Sequence, residues 1–226
     1  MSIQTDLIGH WPFDENEGLE VLDRSGHGSH GQIVNGARVR GIYGNAVSLP
    51  GRDDAHVSIP GTPKLREFAS QITVSAWVFP NSPPQGFMVV VSRQIGDVLH
   101  PDQFYLGFGP KDGAMHYKWH LGTDDGGNLL EGDIYAGTPA HNRWIHLAGT
   151  YDGHLLRLYV DAVEIGVAPL TGRIRVDDNP VTIGGEENGP APLVVDGECD
   201  GLIDEVRLYN RALTAAEIME IFQLDA

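Results

Sequence analysis

Side chains that can carry positive charge recur at every second position of Met115–Leu121, whose sequence is MHYKWHL. In a β-strand this alternation places His116, Lys118 and His120 on one face and the intervening aromatic residues on the other. Imidazole and ammonium groups donate hydrogen bonds to hydroxyls and carboxylates. The spacing therefore indicates either a ligand-binding face or a solvated basic edge strand, and alternation alone leaves both open.

Two residues on predicted neighbouring strands, Arg93 and Tyr105, are candidates to join this face, together with Gln103. A tyrosine ring can stack on a sugar ring, and a guanidinium group can bind a carboxylate. The chain has a formal net charge of −16, so a cluster of positive donors would attract anions locally. These residues predict a saccharide ligand, and an acidic one with uronate or sulfate groups in preference to a neutral one.

Three oxygen-rich segments could supply ligands for calcium, which takes six to eight oxygen atoms. Asp14 follows the first predicted strand, the glycine-rich segment Asp23–Gly31 can direct backbone carbonyls inward, and Asp204 lies in the last predicted strand. Alternation puts Asp204 on the side of Leu202 and Val206, where a carboxylate needs a partner or a metal. The alternative is that the first two aspartates cap turns and that Asp204 accepts hydrogen bonds from backbone amides.

Other site chemistries find little support in the sequence. His27 and His30 lie close together, but no second pair has zinc-ligand spacing and the single cysteine, Cys199, stands alone. The sequence contains no nucleophile elbow, phosphate-binding loop or dinucleotide fingerprint. No catalytic residues are therefore predicted from local motifs.

Length and composition indicate one globular domain over residues 1–226. The hydrophobic fraction is 41%, and all-β domains of about 250 residues are common as single units. One cysteine excludes a disulfide framework, and the strong negative charge argues against a nucleic-acid partner. No apolar run reaches the roughly 18 residues of a membrane span. The N-terminal residues do not read as a signal peptide, so we expect a cytoplasmic protein, or a secreted or cell-surface one whose leader was removed.

Hydrophobic residues alternate with a period of two, which is typical of strands. The segments Gln71–Phe79, Arg143–Tyr151 and His154–Val167 are the best examples, and Asp152-Gly153 between the last two predicts a hairpin. About a dozen such segments predict an antiparallel sandwich. A capping box formed by Thr214 and Glu217, followed by apolar residues at helical spacing, predicts one C-terminal helix.

Several segments in order carry a family likeness: HWPFDENEG, DRSGHGSHG, ITVSAWVFP, WIHLAGTYDG, LRLYVDAVEIG and GLIDEVRLYNRALTAAEI. The chain resembles the laminin-G-like jelly-roll domains of the concanavalin-A-like lectin/glucanase group from about residue 8 to residue 222. The resemblance implies an all-β, two-sheet antiparallel jelly-roll sandwich with a short C-terminal helix. Two stretches, 122–132 and 186–199, look longer than the family pattern, and extra loops often carry specificity.

The resemblance also implies a calcium ion between the first and last strands. By position, Asp14 and Asp204 would provide side-chain oxygens, and Ser25 and Gly28 would provide backbone carbonyls. Asp23 is a reserve ligand that fits equally well as a cap of its own turn.

The fold alone does not determine function, because it carries lectins, adhesion modules, hydrolases and lyases. The Glu-x-Asp-x-x-Glu pattern of jelly-roll glucanases begins at Glu131 and Asp133 but ends at Ala136. We therefore predict a calcium-stabilised binding module for a glycan or a protein surface. The alternatives are a glycan-active enzyme, such as a polysaccharide lyase using the His116/Lys118/His120 face, and a protein that assembles through its sheet edges.

Overall fold

A computed structural model describes residues 2–68, 70–94, 102–188 and 194–224. Within these ranges the chain forms nineteen strands, a 3₁₀ turn at Lys64–Arg66 and one α-helix, α1 (Ala215–Leu224). The strands are β1 (Leu7–Trp11), β2 (Glu20–Val21), β3 (Gly31–Val34), β4 (Ala37–Arg40), β5 (Asn45–Pro50), β6 (His56–Ile59), β7 (Ile72–Pro80), β8 (Met88–Gln94), β9 (Asp102–Lys111), β10 (Ala114–Asp125), β11 (Asn128–Ala136), β12 (Ile145–Tyr151), β13 (Leu155–Val160), β14 (Val163–Pro169), β15 (Arg173–Ile174), β16 (Val181–Ile183), β17 (Glu186–Asn188), β18 (Val194–Asp196) and β19 (Asp200–Tyr209).

Two large antiparallel sheets form a sandwich, which confirms the predicted fold class. The first sheet has the order β14-β13-β12-β7-β19-β5-β4, with β1 added alongside β19. The second sheet has the order β11-β10-β9-β8-β16-β6-β3-β2, with β15 pairing with β10. Strands far apart in sequence, such as β7 and β19, are therefore hydrogen-bonded neighbours.

The main hydrophobic core lies between the two sheets. Alternate residues of β7, among them Val74 and Val78, belong to the same buried cluster as Trp119 and Leu121 of β10. Gly149 on β12 permits this close packing, because a Cβ at that position would collide with the Trp119 ring. Side chains at the intervening positions of β10, including Lys118, consequently lie on the face directed away from the core.

Helix α1 packs on the outer face of the first sheet. Thr214 Oγ1 accepts a hydrogen bond from the Glu217 backbone N–H, and Glu217 Oε2 accepts one from the Thr214 N–H, so the predicted capping box is present. The Phe222 ring stacks on Trp77 with centroids 5.3 Å apart. No helix in the described ranges is long and apolar enough to cross a membrane.

Strands are present in both stretches that looked longer than the family pattern, as far as the structure describes them. Residues 122–132 make up the outer end of the β10–β11 hairpin, which pairs from Tyr117–Ala136 to Asp125–Asn128. The segment after Gly185 forms a separate two-stranded ribbon, β17–β18, in which Glu186 pairs with Asp196. This ribbon lies against β8 and borders the outer face of the second sheet.

Candidate functional site

A pocket of about 460 Å³ lies where the β17–β18 ribbon meets the outer face of the second sheet. Its lining includes Phe87, Asp102, Tyr105, Lys118, Glu186 and Asp196. Lys118 and His120 are only 8% and 5% exposed, although both lie on the face away from the core. Lys118, the central residue of the predicted basic face, is therefore part of a pocket wall and not of a solvated edge. We refer to this pocket as the Lys118 pocket.

Three aromatic rings surround the Lys118 ammonium group. Its Nζ atom lies 4.6 Å from the ring centre of Tyr105, 4.9 Å from that of Phe87 and 5.5 Å from that of Tyr135. These distances are within the range of cation–π attraction. The Asp133 carboxylate is 3.9 Å away. The ammonium group is thus fixed in position by its own surroundings.

His120 is held by the strand next to its own. Its Nδ1 atom donates a hydrogen bond of 3.0 Å to Asp133 Oδ1 on β11, while its Nε2 atom is buried without a hydrogen-bond partner among the described residues. Burial alone would raise the pKa of Asp133, but the hydrogen bond from His120 and the positive charges of His120, Lys118 and Lys111 together outweigh it, so the pKa is lowered. The Nε2 atom of His120 is therefore a buried polar atom that still needs a hydrogen-bond partner.

Two carboxyl groups meet at one side of the pocket. Asp102 and Glu186 are within hydrogen-bonding distance of each other, although one begins β9 and the other begins the ribbon. Burial, and next the adjacent Asp102 carboxyl, raise the pKa of Glu186 to about 8; burial also raises the pKa of Asp102. Since two like charges in contact cannot both ionise easily, the pair shares a proton near neutral pH. Glu186 Oε1 is buried without a hydrogen-bond partner among the described residues.

Of the predicted ligand residues, the structure brings together Lys118, His120 and Tyr105. His116 lies farther along β10, where its Nδ1 donates to the Gly137 carbonyl oxygen at 3.0 Å.

Arg93 is separated from the other predicted ligand residues. It pairs with Phe104, a residue of the core cluster, and is fully buried. Its guanidinium group donates to the carbonyl oxygens of Leu65, Asp177 and Asn179 at 2.5–3.0 Å, and burial lowers its pKa to about 10. The expectation that Arg93 faces the ligand is corrected: its hydrogen bonds tie loops together on the core side.

The electrostatic environment of the pocket also differs from the expectation. Carboxyl groups of Asp102, Asp133, Glu186 and Asp196 lie in or beside the pocket that holds Lys118. A local excess of positive charge, as predicted from the basic strand alone, is therefore offset by acids from other strands.

The proposed calcium ligands Asp14 and Asp204 converge on the loop between β4 and β5. Asp204 is fully buried, and its carboxylate accepts hydrogen bonds from the backbone N–H groups of Ile42, Tyr43 and Glu205 at 2.7–3.3 Å. Burial raises its pKa to about 8. Asp14 Oδ1 accepts a bond from the Asn45 N–H at 2.9 Å.

Glycines in the same loop allow both carboxylates to approach the backbone. A Cβ atom at Gly41 would collide with Asp204 Oδ2, and one at Gly44 would collide with Asp14 Oδ1.

A β-bulge at Glu205, whose φ is 50°, shifts the alternation of side chains along β19. Val206 therefore faces the core, and the prediction that it shares a side with Asp204 is wrong.

Ser25 and Gly28 belong to a turn that Asp23 organises. The Asp23 carboxylate accepts hydrogen bonds from the N–H groups of His10, Ser25 and Ser29 at 2.8–3.1 Å, and these bonds lower its pKa against the opposing effect of burial. Asp23 thus caps its own turn, which is one of the two roles that the sequence allows for it. Within the described residues, no three His, Cys, Asp or Glu side chains are grouped to hold a metal ion. A calcium ion near Asp204 would therefore need backbone carbonyls for most of its coordination.

The family assignment rests on a match to one family model. The model of the Concanavalin A-like lectin/glucanases superfamily, in its laminin-G branch, matches residues 51–219. The chain belongs to this superfamily. The sequence resemblance is thereby confirmed, and the jelly-roll sandwich is the fold that this laminin-G-like domain shares with its structural neighbours.

Two curated relatives are far longer than this laminin-G-like domain. Adhesion G-protein coupled receptor V1 of Danio rerio is 26% identical over 182 residues, which cover 78% of this chain and 3% of that protein. Usherin of Homo sapiens is 26% identical over 191 residues, covering 81% of this chain and 3% of that protein. The chain thus spans about 3% of the length of either relative.

Solved structures with the same fold include binding domains of larger proteins. Domain 4 of an extracellular arabinanase from Geobacillus stearothermophilus, in complex with arabinotriose, superposes with a TM-score of 0.69 at 21% identity, covering 96% of this chain and 98% of that one. The binding domain of Paraclostridial Mosquitocidal Protein 1 has a TM-score of 0.72 at 17% identity. The superposition covers 98% of this chain and 52% of that one. Identities this low establish the common fold alone.

Several pocket residues were not predicted as site residues from the sequence: Phe87, Asp102, Asp133, Tyr135 and Glu186. Apart from the basic strand itself, the sequence signal that pointed toward this region was the extra length of the stretch 186–199, whose described residues include the two strands of the ribbon beside the pocket. The register of β10 with β11 brings Tyr135 and Asp133 to the site, because Lys118 pairs with Tyr135 and His120 pairs with Asp133.

Proposed function

We propose that this laminin-G-like domain is a carbohydrate-binding module and that the Lys118 pocket holds the saccharide. The observation that carries the proposal is the composition of the pocket. Aromatic rings of Phe87, Tyr105 and Tyr135 stand beside buried hydrogen-bonding groups of Lys118 and Glu186. Small-ligand sites typically combine apolar walls with a few convergent polar groups, and sugars present both apolar ring faces and hydroxyl groups to such walls.

The carboxyl geometry favours binding over hydrolysis. A glycosidase needs two carboxyl groups about 5–5.5 Å apart for retention, or about 6.5–9.5 Å apart for inversion. Asp102 and Glu186 are in hydrogen-bonding contact, which leaves no space between them for a glycosidic bond. The lyase alternative loses support as well, because Arg93 lies on the core side and His116 lies farther along the strand.

A neutral, hydroxyl-rich saccharide fits this pocket better than the acidic one expected from the basic strand. An acidic sugar would bring its carboxylate or sulfate next to Asp196 and to the Asp102–Glu186 pair, which keeps one negative charge when it shares a proton, and like charges in a partly buried site repel. Hydroxyl groups can donate to these carboxyls and accept from Lys118. The arabinanase domain of the same fold is seen with arabinotriose, a neutral oligosaccharide, which supports this choice.

Calorimetric titration tests the proposal directly. We expect neutral oligosaccharides, with arabinotriose as the first probe, to bind more tightly than uronate-containing ones. Lys118→Met, which keeps an apolar stem but loses the ammonium group, should weaken binding about tenfold or more. Lys64→Met is the matched control, because Lys64 pairs with Glu67 at the surface. Absence of binding across neutral and acidic saccharides, or equal binding by wild type and Lys118→Met, would refute the assignment.

We also propose that calcium stabilises the domain by binding between Asp14 and Asp204. The supporting observation is a fully buried Asp204 carboxylate beside a second carboxylate and a loop rich in backbone groups. Burying a carboxylate is costly unless a charge compensates it, and a divalent cation with oxygen preference supplies that charge. In this proposal Ser25 and Gly28 add carbonyl oxygens.

A further inference from the structure

We infer that the saccharide extends from the Lys118 pocket over Phe87 into a second subsite, so that the domain binds an oligosaccharide better than a single sugar. The inference rests on the proposed function. A second pocket, of about 200 Å³, is lined by Ser82, Pro83, Phe87, Glu198 and Asp200. It shares Phe87 with the Lys118 pocket, so the two are neighbours. We call it the Glu198 pocket.

Two hydrogen-bonded backbone segments form a ridge at the boundary between the two pockets. The Val89 N–H donates a hydrogen bond of 2.7 Å to the Gly197 carbonyl oxygen, which ties the start of β8 to the segment after β18. Val89 and Gly197 line the Lys118 pocket, while Met88 and Glu198, one residue along each segment, line the other. A chain of sugar units that leaves the first pocket across this ridge therefore enters the second.

Phe87 stands at the junction as an exposed but positioned ring. It is 50% exposed, yet its ring packs edge-on against Tyr105 with centroids 6.2 Å apart and lies 4.9 Å from Lys118 Nζ. A ring held in place on one side and open on the other is a suitable platform for a sugar face. Its place between the two pockets makes it the contact for the linkage between successive units.

The Glu198 pocket contains a hydrogen-bond acceptor that lacks a donor. Glu198 Oε1 is buried and has no hydrogen-bond partner among the described residues. By contrast, the Asp200 carboxylate accepts from Asn81 Nδ2 at 2.9 Å and from Ser82 Oγ at 3.3 Å. Buried polar atoms are normally paired, and a ligand hydroxyl in this pocket is a donor that Glu198 can accept. The second subsite is thus set up for an additional sugar unit with a free hydroxyl.

The test compares ligands of one sugar at three lengths by calorimetry: arabinose, arabinobiose and arabinotriose. For wild type we expect the affinity to rise at least tenfold from the monosaccharide to the trisaccharide. Glu198→Met, which removes the acceptor with little change in side-chain length, and Phe87→Ala should each remove most of that gain. The monosaccharide affinity of Glu198→Met should equal that of wild type. Phe87→Tyr should keep the gain, and the surface variant Glu67→Gln is the matched control.

The outcomes separate the inference from the proposed function. Equal affinity for all three lengths in wild type, or an equal loss for monosaccharide and trisaccharide in Glu198→Met, would overturn the second subsite and leave the Lys118 pocket standing. Absence of binding by all three sugars, together with absence of binding by the other neutral and acidic saccharides, would overturn the proposed function and the inference together. Thermal unfolding of each variant checks that a loss of binding is not a loss of fold.

Discussion

The buried Glu186 carboxyl should make the free energy of unfolding of this domain depend on pH. Burial, and next the adjacent Asp102 carboxyl, raise its pKa to about 8 from an ordinary 4.5. That difference of about 3.5 in pKa corresponds to on the order of 5 kcal/mol at 1.36 kcal/mol per pKa unit. Because the proton is shared with Asp102, the effect of changing one partner is smaller, and we expect about 2 kcal/mol.

The sign follows from proton binding in the two states. Between pH 4.5 and about 8 the folded chain holds a proton that the unfolded chain releases, so the free energy of unfolding falls as pH rises through this range. Below pH 4.5 both states are protonated and the contribution is fully present. In Glu186→Gln the amide donates to Asp102 at every pH, as the protonated carboxyl does. The variant should match wild type at pH 4.5 and exceed its stability by about 2 kcal/mol at pH 9.

Urea unfolding at a series of pH values measures this difference, and the next residue provides the control. Burial alone would raise the pKa of Glu187, but the hydrogen bonds from His56 and Ser58 and the charge of His56 together outweigh it, so the pKa is lowered. Its carboxylate lies 2.9 Å from His56 Nε2. Glu187→Gln should therefore destabilise the domain at pH 7, which is the opposite of the effect expected for Glu186→Gln. Parallel pH curves for wild type and Glu186→Gln would refute the reasoning.

Three further predictions concern other buried groups. Removing calcium with EDTA should lower the melting temperature by several degrees, and Asp204→Ala should abolish that difference; an unchanged melting curve together with no metal by elemental analysis would contradict the calcium site. Burial, with Arg207 nearby, lowers the pKa of His146 to about 3, so wild type should lose about 2–3 kcal/mol more than His146→Gln between pH 7 and pH 4.5, measured by urea unfolding. Arg93→Met should cost about 3 kcal/mol, because three carbonyls lose their donor, and should leave saccharide affinity unchanged in calorimetry.

The sandwich could be predicted from the sequence because its signals are local. Alternation in Gln71–Phe79 and Arg143–Tyr151 reports which residues of one strand share a face, and the turn at Asp152-Gly153 joins β12 to β13. The capping box at Thr214 likewise needs only four consecutive residues. None of these signals depends on how distant strands pair.

The site could be predicted only where a single strand or neighbouring strands define it. Lys118, His120 and Tyr105 meet because β9 follows directly into β10 and their register follows from a short turn. Arg93 was misplaced because the pairing of β8 with β9 contains register shifts, and a shift of one residue exchanges the two faces of a strand. Glu186 reaches Asp102 from a ribbon more than eighty positions later, a contact that no local pattern contains.

Under the proposed function, the position of Lys118 would allow an acidic protein to select a neutral ligand. Its ammonium group is already surrounded by three aromatic rings and lies near Asp133, so an incoming carboxylate gains little from it. The same carboxylate would also lie near the Asp102–Glu186 pair, and its negative charge would make ionisation of that pair still more costly. A hydroxyl group both donates and accepts, so it can bridge the ammonium group and the carboxyl pair without adding charge. Under the proposed function, the pocket would therefore discriminate by hydrogen-bonding character, and its negative charge would serve mainly to exclude anions.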